Sequence, residues 1–184
     1  MVRIGDSNMD FQCNVIKVNL QDIANGPGIR VSVWVSGCTH KCPGCHNPDT
    51  WKWKQGTPLT EKLLQTILDK CNSDHIAGLT LSGGDPLFIK NIPAVTELCK
   101  RFKVNYGQKD IWLWTGSNWE DIKDLEIFKK NIVDVIVDGE YKQDEKDVSL
   151  VYCGSRNQRV IDVKKSNQQN KVVLYESPKS KRRL

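Results

Sequence analysis

The clearest pattern of hydrophobic and polar positions begins at Ile29, in the segment IRVSVWVSG. Its aliphatic residues fall at every second position, and this period of two predicts a β-strand that leads directly into a cysteine-rich loop. Shorter apolar runs between turn residues predict further strands at 14–20, 77–84, 110–116, 132–139 and 158–163. Apolar residues at helical spacing predict helices that begin at Thr57-Pro58 and near Asn91, and a single helix over 118–130.

The order of these elements predicts the fold class. Strands that alternate with helices indicate parallel strands joined by right-handed helical crossovers. We therefore expect an α/β protein with a single-domain, incomplete β/α barrel of parallel strands, that is, a partial TIM-like barrel. A chain of 184 residues suits one domain. We expect this domain over residues 1–176, followed by a basic C-terminal tail at 177–184.

Three of the predicted strands end in residues with special chemistry. The first runs into SGCTHKCPGC (36–45), the second ends in SGGDP (82–86), and the third ends in WTG (114–116). Ligands of parallel α/β proteins bind at the carboxyl ends of the strands. We therefore expect the three loops to face one crevice.

Positive charge is concentrated at the C-terminus. The net charge is +5, and Lys179, Lys181, Arg182 and Arg183 contribute +4 of it. A nucleic-acid-binding surface should spread over a folded face, so a frayed basic tail does not predict nucleic-acid binding. No apolar run is long enough for a bilayer span and no signal-peptide pattern is present, so we expect a cytoplasmic protein that does not associate with membranes.

The seven cysteines indicate a metal site rather than a disulfide framework, since the count is odd and three of them are clustered. Cys38, Cys42 and Cys45 have the spacing C-x3-C-x2-C. Structural zinc requires a fourth ligand, and His40 or His46 would strain a site closed within so short a loop. An iron-sulfur cubane normally takes four thiolates, so three would leave one iron open to a substrate or cofactor. The other four cysteines, which have no predicted role, are Cys13, Cys71, Cys99 and Cys153.

The motifs of the chain resemble those of a known family. C-x3-C-x2-C after a strand is the signature of the radical S-adenosylmethionine superfamily, and SGGDP is similar to its GGE motif. The chain is more narrowly similar to activating proteins of anaerobic (class III) ribonucleotide reductase, on the motifs NGPGIR, VSGCTHKCPGCHN, LTLSGGDPL, IWLWTG, VDVIVDGEY and GSRNQRVIDV. This resemblance covers about residues 14–163.

The resemblance implies a cofactor and a reaction. Cys38, Cys42 and Cys45 would ligate three irons of a 4Fe-4S cluster, and S-adenosylmethionine would chelate the fourth. One electron, from an external donor such as flavodoxin, would cleave S-adenosylmethionine to a 5'-deoxyadenosyl radical. That radical would take a hydrogen atom from a glycine of the anaerobic ribonucleoside-triphosphate reductase and leave a glycyl radical on its glycyl-radical subunit. The protein would position the reacting groups and exclude competing reactions.

The candidate contacts of S-adenosylmethionine are Gly44, Cys45, His46, Gly83, Gly84, Asp85 and Thr115. Gly83 and Gly84 lack a Cβ atom, so their backbone can approach the cofactor closely, and Asp85 can accept a hydrogen bond from its ammonium group. The alternative for this tetrapeptide is a tight turn with no ligand. Thr115 is a candidate for a ribose or carboxylate contact. His46 is either a flat group beside the adenine or an ordinary surface histidine.

A second polar motif lies further along the chain. Arg156, Asn157, Gln158 and Arg159 are candidates for contact with the cofactor carboxylate or the partner protein, and a hydrogen-bonded turn is the alternative. Trp51 and Trp53 are candidates for a protein interface. Two other functions remain open from the sequence. One is a radical enzyme that acts on a different glycyl-radical enzyme or a small molecule, and the other is a zinc-binding module without catalytic activity.

Overall fold

A computed structural model describes residues 11–177 of the chain. The strands are β1 (Asn14–Asp22), β2 (Ile29–Val35), β3 (Thr57–Pro58), β4 (Ile76–Gly83), β5 (Asp110–Trp114), β6 (Val135–Asp138) and β7 (Arg159–Asp162). The helices are α1 (Glu61–Lys70), α2 (Ile92–Asn105), α3 (Trp119–Ile122), α4 (Glu126–Lys129) and α5 (Val163–Gln169). Within this range no helix is long and apolar enough to cross a membrane.

The strands form one open seven-stranded sheet with the order β3-β1-β2-β4-β5-β6-β7. The four central strands, β2, β4, β5 and β6, are parallel to one another. This confirms the predicted α/β class with a parallel sheet, and the open order is consistent with a partial barrel. The outer strands are antiparallel, because β1 joins β2, and β6 joins β7, without a crossover helix.

The main core lies between the sheet and its helices, and a smaller aromatic cluster covers the other face of the sheet. Along β5, Ile111 and Leu113 point into the main core, whereas the fully buried Trp112 points into the aromatic cluster. Arg30 of the NGPGIR motif is also fully buried. Its guanidinium pairs with Asp110 at 2.7 Å and lies 5.7 Å from the Trp112 ring centroid. Arg30 therefore links β2 to β5 across the intervening β4, and no residue of the NGPGIR motif lines the cavity at the carboxyl ends of the strands.

Two predicted helix boundaries were wrong. Thr57-Pro58 does not begin a helix but pairs as β3 with Asn14 and Val15, and α1 is capped by Thr60, whose side chain accepts from the Leu63 N–H. The single helix predicted over 118–130 is two short helices, α3 and α4.

The break between α3 and α4 has a packing cause. Residues nine apart in a continuous helix lie on opposite faces. The break instead lets Phe128 contact Trp119, with ring centroids 5.5 Å apart, and both side chains are buried.

Helix α5 was not predicted, because its sequence VKKSNQQ is polar apart from its first residue. Asp162 caps it by accepting a hydrogen bond from the Lys165 N–H at 2.9 Å. The predicted basic tail falls mostly on residues 178–184, which lie outside the described residues, so its boundary stays a prediction.

Candidate functional site

The carboxyl ends of β2, β4 and β5 surround one cavity of about 500 Å³, which confirms the predicted crevice. Cys38, Cys42 and Cys45 all line it. Gly83 and Gly84 from the end of β4, and Thr115 from the end of β5, line the same space. The remaining candidate contacts from the cysteine loop, Gly44 and His46, are also part of the wall.

The cysteine loop is held by backbone hydrogen bonds to the segment that follows it. The N–H of Gly37 donates to the Thr50 carbonyl at 2.8 Å, and the N–H of Cys38 donates to the Trp51 carbonyl at 3.0 Å. Gly44 has φ +71°, and a Cβ atom there would lie 2.1 Å from the Gln143 side-chain oxygen. Glycine at this position therefore permits both the left-handed turn and the close approach of Gln143.

All three thiols of the loop are free, and burial raises the pKa of Cys38 and Cys42 above the ordinary thiol value. Within residues 11–177, no three His, Cys, Asp or Glu side chains converge on a point that could hold a single metal ion. Three free thiols in the wall of one cavity match the donor set of an iron-sulfur cluster, and among the described residues no fourth ligand completes a zinc tetrahedron with them.

His40 links the cysteine loop to two other loops. Its Nε2 lies 2.9 Å from Asp85 Oδ2, and its Nδ1 lies 2.7 Å from Glu140 Oε1. The hydrogen bond to Asp85, helped by the one to Glu140, raises the pKa of His40 to about 9 although its partial burial lowers it. Both ring nitrogens are thus engaged, so His40 is not available as a fourth ligand for zinc in this arrangement.

The two glycines of SGGDP bring β4 against the start of the cysteine loop. Gly83 has φ +108°, and a Cβ atom there would lie 2.6 Å from the backbone N and O of Val35. A Cβ atom at Gly84 would lie 2.5 Å from the Gly37 carbonyl oxygen. The contact between the two loops therefore requires glycine at both positions, and both residues also line the cavity.

Asp85 differs from the other candidates because it is 3% exposed and does not line the cavity. Its carboxylate accepts hydrogen bonds from the Thr115 hydroxyl at 2.9 Å, the Leu87 N–H at 2.8 Å and the Gly116 N–H at 3.3 Å. With His40 on Oδ2 as well, both carboxylate oxygens are engaged within the protein. Asp85 thus holds the ends of β4 and β5 and the cysteine loop in one arrangement.

The motif GSRNQR places one of its four candidates in the cavity wall, namely Gln158. The Gln158 side chain donates to the Gly139 carbonyl at 2.9 Å, and the Asn157 side chain donates to the Glu140 carbonyl at 2.8 Å. Both residues therefore hold the loop that follows β6.

The two arginines of this motif have different environments. The Arg159 guanidinium binds the carboxylates of Glu120 and Asp138, and these hydrogen bonds, chiefly the one to Asp138, raise its pKa. The Arg156 side chain is 61% exposed and lies 3.9 Å from Asp147.

Sequence reasoning missed several residues of the wall. Gly139 and Tyr141 follow β6, and the rule that ligands gather at the carboxyl ends of parallel strands could have found them had it been applied to this fourth strand. Cys153, and Lys146 to Val148, also line the cavity. These come from an irregular segment that has no periodic signal.

Comparisons with known proteins agree with this site. Residues 24–161 match the model of the family described as a 4Fe-4S single cluster domain. An anaerobic ribonucleoside-triphosphate reductase-activating protein of Escherichia coli (strain K12) is 42% identical over 141 residues, which are 76% of this chain and 92% of that protein. The protein of the same name from Enterobacteria phage T4 is 44% identical over 139 residues, which are 76% of this chain and 87% of that protein. A third, from Pasteurella multocida (strain Pm70), is 40% identical over 150 residues, 79% of this chain and 94% of that protein.

The cysteine loop and its cavity are thus those of a 4Fe-4S single cluster domain protein. Within that class, the chain belongs to the family of anaerobic ribonucleoside-triphosphate reductase-activating proteins. This confirms the resemblance found in the sequence motifs.

Proposed function

We propose that the protein activates an anaerobic ribonucleoside-triphosphate reductase by forming a glycyl radical on it, with a 4Fe-4S cluster and S-adenosylmethionine as cofactors. The observation that carries this proposal is the set of three free thiols, Cys38, Cys42 and Cys45, in the wall of one cavity with the backbone of Gly83 and Gly84. When bound, the cluster and S-adenosylmethionine supply reductive cleavage of the sulfonium and abstraction of a hydrogen atom from a glycine Cα.

The protein's own part is to bind and orient. Cys38, Cys42 and Cys45 would hold three irons of the cluster as thiolates, which would leave the fourth iron open to the amino acid group of S-adenosylmethionine. The backbone of Gly83 and Gly84 would contact the methionine end of S-adenosylmethionine. Gly44, Cys45 and His46 are proposed to lie along the adenine.

Two further residues are proposed to act on the same cofactor in different ways. Asp85 positions Thr115 and Gly116 rather than contacting the cofactor, because its oxygens already accept four hydrogen bonds. Thr115 is 5% exposed but lines the cavity, and it is proposed to contact the ribose or the carboxylate.

The partner is proposed to present a peptide loop at the cavity mouth. Val148 is part of the wall and is 90% exposed, so the mouth carries an apolar side chain that a protein surface can cover. Gln158 and Arg156 belong to the same late segment and are proposed to contact the cofactor carboxylate or the reductase. An external one-electron donor such as flavodoxin would supply the electron.

The first experiment is anaerobic reconstitution with iron and sulfide, reduction with dithionite, and addition of S-adenosylmethionine. We expect a brown protein that forms 5'-deoxyadenosine, and a glycyl radical signal in electron paramagnetic resonance when the reductase is present. Cys42→Ala should abolish both products, whereas Cys99→Ala, a change at a fully buried core thiol, should retain them.

Three outcomes would contradict the proposal in different ways. A colourless zinc protein would overturn the cluster, and full activity of Cys42→Ala would overturn its ligands. Deoxyadenosine without a radical on the reductase would indicate another glycyl-radical enzyme or a small molecule as the substrate.

A further inference from the structure

The outer side of the cysteine loop carries an aromatic and basic surface, which we call the Trp53 patch and define as Trp53, Phe88, Lys54 and Lys90. The ammonium groups of Lys54 and Lys90 lie 4.7 and 5.8 Å from the centroid of the Trp53 ring. The Phe88 ring lies 6.5 Å from the same ring. The patch therefore brings residues that follow the cysteine loop together with residues that follow the SGGDP motif.

The patch packs against the backbone next to Cys38, one of the proposed cluster ligands. A Cβ atom on Gly37 would lie 2.7 Å from Phe88 Cδ1, so the Phe88 ring packs on the backbone immediately before Cys38. Trp51, whose carbonyl accepts from the Cys38 N–H, lines the cavity, whereas Trp53 does not. The chain Trp53, Phe88, Gly37 thus connects the surface to Cys38 without passing through the cavity.

The positive charge of the patch is local. The whole chain has a net charge of +5, and the last eight residues hold +4 of it, so the remaining 176 residues carry only +1. Lys54 and Lys90 are exposed, as is the neighbouring Lys52, and the one acid of the same loop is the exposed Asp49. Among the ion pairs between described residues, none involves these three lysines.

We propose that the Trp53 patch is the docking surface of an acidic one-electron carrier protein that reduces the cluster. The inference rests on the proposed function, since it requires a cluster on Cys38. A carrier only has to come close to the cluster, because an electron crosses the wall of the loop and no atom is exchanged. The reductase, in contrast, must present a glycine at the cavity, so it cannot act from this outer side alone.

The chemistry of the patch fits such a transient encounter. Lysines around a partly exposed aromatic ring attract an acidic surface over a distance, and small electron-transfer interfaces rely on this attraction for their rate. The partly buried Trp53 and Phe88 supply an apolar centre within the basic rim.

The test is the rate at which reduced flavodoxin, an acidic one-electron carrier, reduces the cluster of the reconstituted protein in anaerobic stopped-flow mixing. For Lys54→Glu/Lys90→Glu at low ionic strength we expect a fall of roughly ten-fold or more in the second-order rate, and a flatter salt dependence. The matched control, Lys164→Glu/Lys171→Glu, makes the same charge change at two exposed lysines remote in sequence and should change the rate by less than about two-fold.

Reduction with dithionite distinguishes a defect in docking at the Trp53 patch from a defect in the cluster chemistry. The double variant should still bind iron and form 5'-deoxyadenosine when it is reduced with dithionite, since the small reductant needs no docking surface. If neither variant nor parent forms deoxyadenosine under dithionite, the proposed function fails, whatever the patch does. If the double variant loses iron, it is replaced by Lys54→Gln/Lys90→Gln, which makes half the charge change. This variant should show a smaller fall in the rate of reduction by flavodoxin.

Three results would overturn the docking inference. One is an unchanged rate of reduction by flavodoxin in both lysine variants of the patch. Another is equal slowing in the remote control, which would attribute the effect to net charge alone. Weakened binding of the reductase, with flavodoxin reduction unaffected, would assign the patch to the reductase and also overturn it.

Discussion

The substitution Asp85→Asn tests whether Asp85 holds the three loops of the site together. An asparagine keeps the shape and one acceptor oxygen, which can still serve the Leu87 N–H and the Thr115 hydroxyl. Its amide nitrogen, however, would replace Oδ2 and face two donors, the Gly116 N–H and His40. Hydrogen bonds to a charged group contribute about 1.5–3 kcal/mol each, and His40 is partly exposed, so we expect a loss of about 2–4 kcal/mol.

The assay is urea unfolding of the reduced, cluster-free protein at neutral pH. With a typical slope of about 2 kcal/mol per molar urea, the expected loss lowers the midpoint by about 1–2 M. Asp74→Asn, at an exposed carboxylate, is the control and should stay within about 0.5 kcal/mol of the parent. A midpoint for Asp85→Asn within about 0.3 M of the parent would refute the role of Asp85 as the shared acceptor.

A double-mutant cycle sharpens this test. Thr115→Val removes one donor to Asp85 and should cost about 1–2 kcal/mol. Asp85→Asn leaves the Thr115 hydroxyl a neutral acceptor at Oδ1 and none at Oδ2, so both substitutions weaken the same interaction. The combined loss should therefore be smaller than the sum of the single losses by about 0.5 kcal/mol or more. Strict additivity would mean that Thr115 and Asp85 do not depend on each other.

Two further predictions concern the backbone and the thiols. Gly83→Ala should destabilise the protein by about 3 kcal/mol or more in the same urea assay, since φ is +108° and the Val35 backbone lies 2.6 Å from the new Cβ atom. Gly107→Ala, where the nearest atom is 3.3 Å away, should cost less than about 1 kcal/mol, and equal losses would contradict the steric argument. A thiol titration of the native, cluster-free protein at pH 8 should count at most four of the seven cysteines, and all seven after denaturation. Five or more in the native state would contradict the burial that raises the pKa to about 12 at Cys13, Cys71 and Cys99.

Most of the fold was predictable because local patterns of hydrophobic and polar residues indicate its strands and helices. The alternation that begins at Ile29 coincides with β2, and the central strands lie where apolar runs end in glycine. The errors came from tertiary contacts that no local pattern records. The helix over 118–130 is broken so that Phe128 reaches Trp119, and Thr57-Pro58 pairs with β1 although it resembles a helix start.

The residues of the candidate site were likewise predictable in part. Its cysteines and glycines were found because their spacing has a chemical reason that is visible in sequence. The engagement of Asp85 by Thr115 and His40, 30 and 45 residues away, was not visible, so its carboxylate could be taken for a free ligand group. Arg159 was likewise a candidate for contact with a cofactor or partner, but its guanidinium binds Asp138 and Glu120.

The cavity wall is completed by Gln158, which lies far along the chain from Cys45. At ordinary rates of translation, roughly ten seconds pass between the synthesis of these two residues. During that time the three cysteines have no cavity around them, and their thiols are open to oxidants and to the wrong metals. The cavity can enclose a cluster only after the segment up to Gln158 has been synthesised, so maturation depends on keeping the thiols reduced until then.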